Sequence, residues 1–259
     1  DRNGSDDIFL RAPDGAELPV VDSPANEREP TCSPDGRTGV YTSDATGNFQ
    51  LYALHFGEDE PVQLTASEGM NFAPAFSPDG RTVAFVSTRN QGVPTIWLID
   101  ADGANPRQLT TGLGRDTSPA WGPEGQQLLF STDQEGTWDL FLTIVEGEAE
   151  GEFPLLPPDL SDGNEIWPIF DPLGERIAYS SWADLSDPGT SSLFLLDFEL
   201  PEPRMLRAEP GADAAWSWVD ESHLLVSVGE GPDVPIVLLD VETGEVTPLT
   251  TAVGFNGGA

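Results

Sequence analysis

Oxygen-bearing side chains recur at one place in this sequence. Glu27, Asn71, Asp116, Glu165 and Asp213 follow one another at steps of 44, 45, 49 and 48 residues, each five positions before Cys32, Phe76, Trp121, Phe170 or Trp218. Four carboxylates and an amide brought to one place would repel one another, and so favour a bound cation such as Ca2+ or a positively charged group on a partner. The plainer alternative is that each side chain caps its own turn in water.

Three other stretches invite a chemical reading. "FSPDGRTVAFVS", Phe76 to Ser87, sets an acid on a glycine-containing loop. Ser, Pro and Gly occupy the first, second and fourth positions that a type I turn prefers, and the Asp79 position is filled by Asp35, Glu124 and Leu173 in related stretches. Chemistry that needed a carboxylate would not tolerate Leu173, so the turn reads as structural. "DADGAN", Asp100 to Asn105, lacks the glycine and the closing acid of a calcium-binding EF loop at the required positions, and reads as a hairpin turn. "STDQEGTW", Ser131 to Trp138, approaches the Asp-box of sialidase-type propellers but carries Glu135 where that motif has glycine. His55 and His223 fall at strand ends and read as structural or exposed. Cys32 stands where Phe or Trp stands elsewhere and reads as a buried core residue. The sequence has no G-x-S-x-G elbow, H-E-x-x-H helix, CxxC pair or glycine-rich phosphate loop.

The elements that must position these residues come from a repeat. "CSPDGRTGVYTS" at Cys32, "FSPDGRTVAFVS" at Phe76, "WGPEGQQLLFST" at Trp121, "FDPLGERIAYSS" at Phe170 and "WVDESHLLVSVG" at Trp218 are copies of one unit. Each is followed by a second apolar run, such as "IWLID" at Ile96, and most end in a short segment of the "RQLT" kind. The runs are short, rich in β-branched and aromatic residues, and bounded by Gly, Pro, Asp and Asn, which marks strands. Runs such as "TVAFV" are apolar on both faces, as expected of a sheet covered on both sides. The sequence therefore predicts an all-β fold, a β-propeller of four-stranded antiparallel blades.

Asn71 to Thr110 resembles the repeat of TolB-like propellers, also called the WD40-like or PD40 repeat. That resemblance implies a six-bladed ring, and it places the segment holding Glu27, Asn71, Asp116, Glu165 and Asp213 beside a central channel. It implies no particular activity, because related repeats also build the non-catalytic propeller of prolyl-oligopeptidase-like peptidases. Full repeats are expected at about 24–65, 66–110, 111–156, 157–207 and 208–250, after a half blade at 1–23 and before a tail at 251–259. The opening "DRNGSDDIFL" matches the second half of a repeat, so upstream residues are expected to complete the first blade.

Composition narrows the function classes. The chain has 259 residues and a net charge of −34, from 45 acids against 11 basic residues, all of them arginine. Such a surface repels nucleic acid and anionic lipid, and favours cations and basic partner surfaces. One cysteine excludes an internal disulfide. No apolar run is long enough to span a membrane as a helix. The expectation is a non-catalytic, periplasmic or extracellular scaffold for protein partners, without a cofactor unless Ca2+ binds. The alternatives are a regulatory propeller of a prolyl-oligopeptidase-like enzyme, or a propeller hydrolase or lyase acting in its channel.

Overall fold

The structure is a computed structural model that describes residues 5–11, 16–58, 60–146, 151–157, 160, 163–200, 202–207, 214–228 and 235–250. Asp213 and the tail from 251 lie outside these residues. The chain divides into two compact units, residues 1–119 and 120–259.

In the first unit, β1 (Ile8–Arg11) pairs with β2 (Glu17–Val21) as a two-stranded sheet. Next, β3 (Glu27–Cys32), β4 (Thr38–Ser43), β5 (Gln50–His55) and β6 (Val62–Gln63) form a four-stranded sheet in sequence order. The same order is repeated by β7 (Asn71–Phe76), β8 (Thr82–Ser87), β9 (Thr95–Asp100) and β10 (Arg107–Gln108). The boundary between the units falls within β11 (Asp116–Trp121), the first strand of a sheet completed by β12 (Gln127–Thr132), β13 (Asp139–Ile144) and β14 (Glu152–Pro154).

The second unit continues the pattern. One sheet is β15 (Asn164–Phe170), β16 (Arg176–Trp182), β17 (Ser191–Asp197) and β18 (Arg204–Arg207); the other is β19 (Ala214–Trp218), β20 (His223–Ser227), β21 (Ile236–Asp240) and β22 (Val246–Pro248). Five four-stranded sheets and one two-stranded sheet are the count expected of a six-bladed propeller whose first blade is incomplete.

Burial explains why the second strand of each repeat is the most apolar. Val83, Ala84, Phe85 and Val86 of β8 are all fully buried, and Val83 and Phe85 pack against the preceding sheet. Val40, Leu51, Ala53 and Leu64 of one sheet join Val83, Phe85 and Ile99 of the following one in a single cluster, with Phe76 and Trp97 at its rim. In the second unit, Ala178, Leu193 and Leu195 join Ala215, Leu224, Val226 and Leu239 in the same way.

Cys32 departs from expectation, since it is exposed. The aromatic residues at its position reach back to the preceding blade, as Phe76 does to the cluster of β4 and β5 and Phe170 does to Gly122. A thiol is too short to make that reach. Partial burial still pushes its pKa up.

Candidate functional site on the first strand of each blade

Each first strand lies at the edge of its sheet and carries a bulge. Glu29, Ala73, Ser118 and Trp167 adopt left-handed φ values of 52°, 50°, 56° and 55°, and each precedes a proline, Pro30, Pro74, Pro119 or Pro168. The pairing with the second strand shifts at this point, between Arg28 and Thr31, Phe72 and Ala75, and Ile166 and Ile169. Proline has no N–H to give a ladder, so within a strand it belongs at an edge or a bulge. The last blade bulges between Ala215 and Ser217, with Trp216 in place of proline.

The bulge follows the residues singled out from the sequence by two positions. Glu27, Asn71, Asp116 and Glu165 are all buried, at 3%, 0%, 2% and 2% exposure, so none of them caps a turn in open water. Asp213 lies outside the described residues. The backbone N–H of each of the four donates to a carbonyl of the preceding blade: Glu27 to Asp6 at 2.7 Å, Asn71 to Phe49 at 2.9 Å, Asp116 to Pro94 at 2.9 Å and Glu165 to Trp138 at 2.7 Å. These positions therefore stitch one sheet to the next.

Their side chains meet different partners. Asn71 Nδ2 donates to Gln50 Oε1 at 2.8 Å and Ser67 Oγ at 2.8 Å, while its Oδ1 accepts from Arg89 Nη2 at 3.0 Å. Asp116 Oδ2 accepts from the Thr110 hydroxyl at 2.6 Å. Glu165 Oε1 accepts from the Gly163 N–H and the Ser181 hydroxyl, each at 3.2 Å. Glu27 Oε1 accepts from the Ser23 hydroxyl at 2.7 Å and the Ser43 hydroxyl at 3.2 Å. Glu27 Oε2 is buried without a partner among the described residues, as are both carboxylate oxygens of nearby Asp7. No group of three or more His, Cys, Asp or Glu that could hold a metal occurs among the described residues.

The turn at Ser77 to Gly80 is closed by its own atoms. Gly80 N–H donates to the Ser77 carbonyl at 2.9 Å, and Asp79 Oδ1 accepts from the Ser77 hydroxyl at 2.6 Å and the Arg81 N–H at 3.0 Å. Those hydrogen bonds, the hydroxyl first, hold the Asp79 carboxyl below its ordinary pKa. Ser33 and Asp35 repeat the arrangement. Where Leu173 interrupts it, Asp171 takes over from two residues upstream: its Oδ1 accepts from the Glu175 and Arg176 N–H groups and its Oδ2 pairs with Arg176 Nε at 3.0 Å. The turns also interlock. A Cβ on Gly80 would meet Pro34 at 3.3 Å, and one on Gly174 would meet Pro123 at 2.9 Å, so each glycine admits the proline of the preceding turn. A cleft of about 500 Å3 opens beside Pro34 and Gly80, edged by Asp35, His55, Asp79 and Asp102.

The remaining motifs are hairpins. Asp100 accepts from the Gly103 N–H through its carbonyl and from Asn105 Nδ2 through its carboxylate. His55 Nδ1 bonds the Thr38 hydroxyl, and His223 Nδ1 bonds the Asp220 carboxylate at 2.9 Å.

Sequence reasoning passed over two tryptophans. Trp167 and Trp216, on the first strands β15 and β19 that pack side by side, are 37% and 64% exposed. The turns that follow these strands expose Leu173 and Val219. The sequence signal was a bulky aromatic beside or in place of the bulge proline.

Serial antiparallel four-stranded sheets, four of them stitched to the segment before them, are the blades of a β-propeller. Residues 57–152 match the family model described as the PD40 TolB beta propeller domain. The chain is 30% identical over 171 residues to the Tol-Pal system protein TolB of Francisella tularensis subsp. mediasiatica (strain FSC147), covering 66% of this chain and 38% of that protein. It is 36% identical over 73 residues to an uncharacterized protein of Agrobacterium fabrum (strain C58), covering 28% of this chain and 25% of that one. The crystal structure of TolB from Acinetobacter baumannii matches with a TM-score of 0.79 at 19% identity, over 93% of this chain and 59% of that one, a likeness of fold. The chain carries TolB-like β-propeller repeats, matched over residues 57–152, and it spans well under two thirds of the length of these curated relatives.

Proposed function

We propose that this propeller is a non-catalytic, periplasmic protein-binding module. The observation that carries this reading is the pair of exposed tryptophans, Trp167 and Trp216, on adjacent first strands of the second unit. Tryptophan dominates the energetics of protein interfaces, and side chains of this size stand in water at some thermodynamic cost unless a partner covers them. Leu173 and Val219, in the turns after the same strands, add further exposed apolar surface. The net charge of −34 favours a partner with basic residues around the contact. Because one relative carries the name Tol-Pal system protein TolB, the partner we propose is a protein of that system. No helix among the described residues is long and apolar enough to cross a membrane. Calorimetry of the chain against each purified Tol-Pal protein of its own cell tests the reading, which predicts micromolar or tighter binding by one of them.

A second reading concerns a cation. The buried, unpartnered oxygens of Asp7 and Glu27 favour Ca2+ at that one seam over a site shared by all of Glu27, Asn71, Asp116, Glu165 and Asp213. Ca2+ should then bind with a heat that Glu27→Gln removes, and no heat at millimolar Ca2+ would end the idea.

A further inference from the structure

Arg89 is an anomaly in this chain. It stands just after β8, where Ala45, Gln134 and Ala183 stand in other blades, so the repeat does not require an arginine there. Its guanidinium lies over the Trp97 ring at 4.2 Å and near the Phe85 ring at 5.5 Å. Its Nε–H donates to Ser87 Oγ at 2.8 Å and its Nη2 to Asn71 Oδ1 at 3.0 Å, both neutral acceptors. Among the described residues no carboxylate pairs with it, and Nη1 has no hydrogen-bond partner. In a chain with 45 acids and 11 basic residues, a half-buried cation without an acid is unexpected.

The cause is one substitution within the repeat. Asn71, the residue that faces Arg89, is an amide where Glu27, Asp116 and Glu165 are acids. An acid there would have neutralised the guanidinium internally. The amide orients it and leaves its charge uncompensated.

Beside Arg89 a pocket of about 480 Å3 opens between the loop after β8 and the end of β10. Its wall is mostly amides and hydroxyls, including Asn90, Thr95, Gln108 and Thr111, beside Val93 and Gly112, with no acid among its lining residues. Asn90 Nδ2 donates to Gln108 Oε1 at 2.6 Å and Gln108 Nε2 to the Thr110 carbonyl at 2.8 Å, so the wall is held in place without using Arg89. A fixed guanidinium with free N–H groups, stacked on an indole and facing a neutral polar pocket, matches the geometry that recognises a carboxylate.

We propose that the Arg89 pocket binds a carboxylate group, from a small organic acid or from the free C-terminus of a peptide. The site is independent of the tryptophan surface and of any cation at Glu27.

The test is a titration of the 15N-labelled full chain, following the Arg89 Nε–H and the amides of Asn90, Gln108 and Thr111. The probes are sodium acetate, a Gly-Gly-Ala-Val peptide with a free C-terminus, and the same peptide amidated. The expected result is saturable shifts at these groups with acetate or the free-acid peptide at millimolar concentration, and none with the amidated peptide. A free-acid peptide binding at least tenfold tighter than acetate assigns the site to a chain end; equal affinities assign it to a small acid. Arg89→Gln should abolish the shifts, and Arg89→Lys, which keeps the charge but loses the planar fork, should weaken binding about tenfold. Asn71→Asp, which keeps Arg89 but supplies an internal carboxylate, should weaken it at least tenfold in a protein whose amide spectrum remains dispersed. No saturable shift with either acid, equal binding of the amidated peptide, or unchanged binding in Asn71→Asp would each overturn the proposal.

Discussion

The two units build the same first strand and finish it differently. In the first, the left-handed position of the bulge holds Glu29, Ala73 and Ser118; in the second, the bulges hold Trp167 and Trp216, both exposed. The turns differ less evenly: Asp35 and Asp79 in the first unit stand against Glu124 and Leu173 in the second. Backbone and stitching are common property of the repeat, whereas the surface chemistry is particular to each unit. Function is therefore to be sought where blades depart from one another.

The common property should show first, as the largest effect. Phe85 and Phe130 hold equivalent, fully buried places in different sheets, so Phe85→Ala and Phe130→Ala should each cost about 4 kcal/mol in urea unfolding. A difference as large as either effect would mean that the sheets are not equivalent.

The seams should respond less evenly. A Cβ on Gly69 would lie 2.4 Å from the backbone nitrogen of Arg89, whereas one on Gly163 would meet the Ser181 hydroxyl at 2.4 Å, a side chain that can rotate. Gly69→Ala should then cost about 3 kcal/mol and Gly163→Ala about 1 kcal/mol. Equal losses would show that the Gly163 seam is as rigid as that of Gly69.

The turns give the smaller effects. Asp171 is buried and accepts two backbone N–H bonds as well as Arg176 Nε, so Asp171→Asn should cost about 2 kcal/mol. Asp79 is exposed, and Asp79→Asn should lower the Tm by about 1 °C at neutral pH. Its folded-state pKa is depressed below 3.8, so its contribution is present above the unfolded value and is lost as pH falls through the folded one. The Tm gap between the wild type and Asp79→Asn should accordingly close below that pH. A gap that widens on acidification would contradict the assigned hydrogen bonds.

Much of this fold was legible because the repeat is punctuated by residues with one conformational use. Pro and Gly in four of the turns, and apolar runs in the second and third strands, marked the repeat. The bulge was equally written in the sequence, in the proline three residues after Glu27, Asn71, Asp116 and Glu165, since proline inside a strand demands an edge or a bulge. Burial of those four residues was not legible, because it depends on how closely the preceding blade approaches. The exposure of Cys32 depends on side-chain reach for the same reason. Asp171 was hidden because a carboxylate two residues from its usual place can grip the same N–H groups. Trp167 and Trp216 gave no sequence signal of exposure, which follows from their places on edge strands.

The most direct measurement is calorimetry of the Tol-Pal proteins of the same cell against the wild-type chain and against Trp167→Ala/Trp216→Ala. The account predicts micromolar or tighter binding of one of them by the wild type and a loss of at least about 2 kcal/mol, roughly thirtyfold, in the double variant, while both chains keep the same folded spectrum. Binding that survives removal of both tryptophans unchanged, or no binding of any Tol-Pal protein by the wild type, would contradict it.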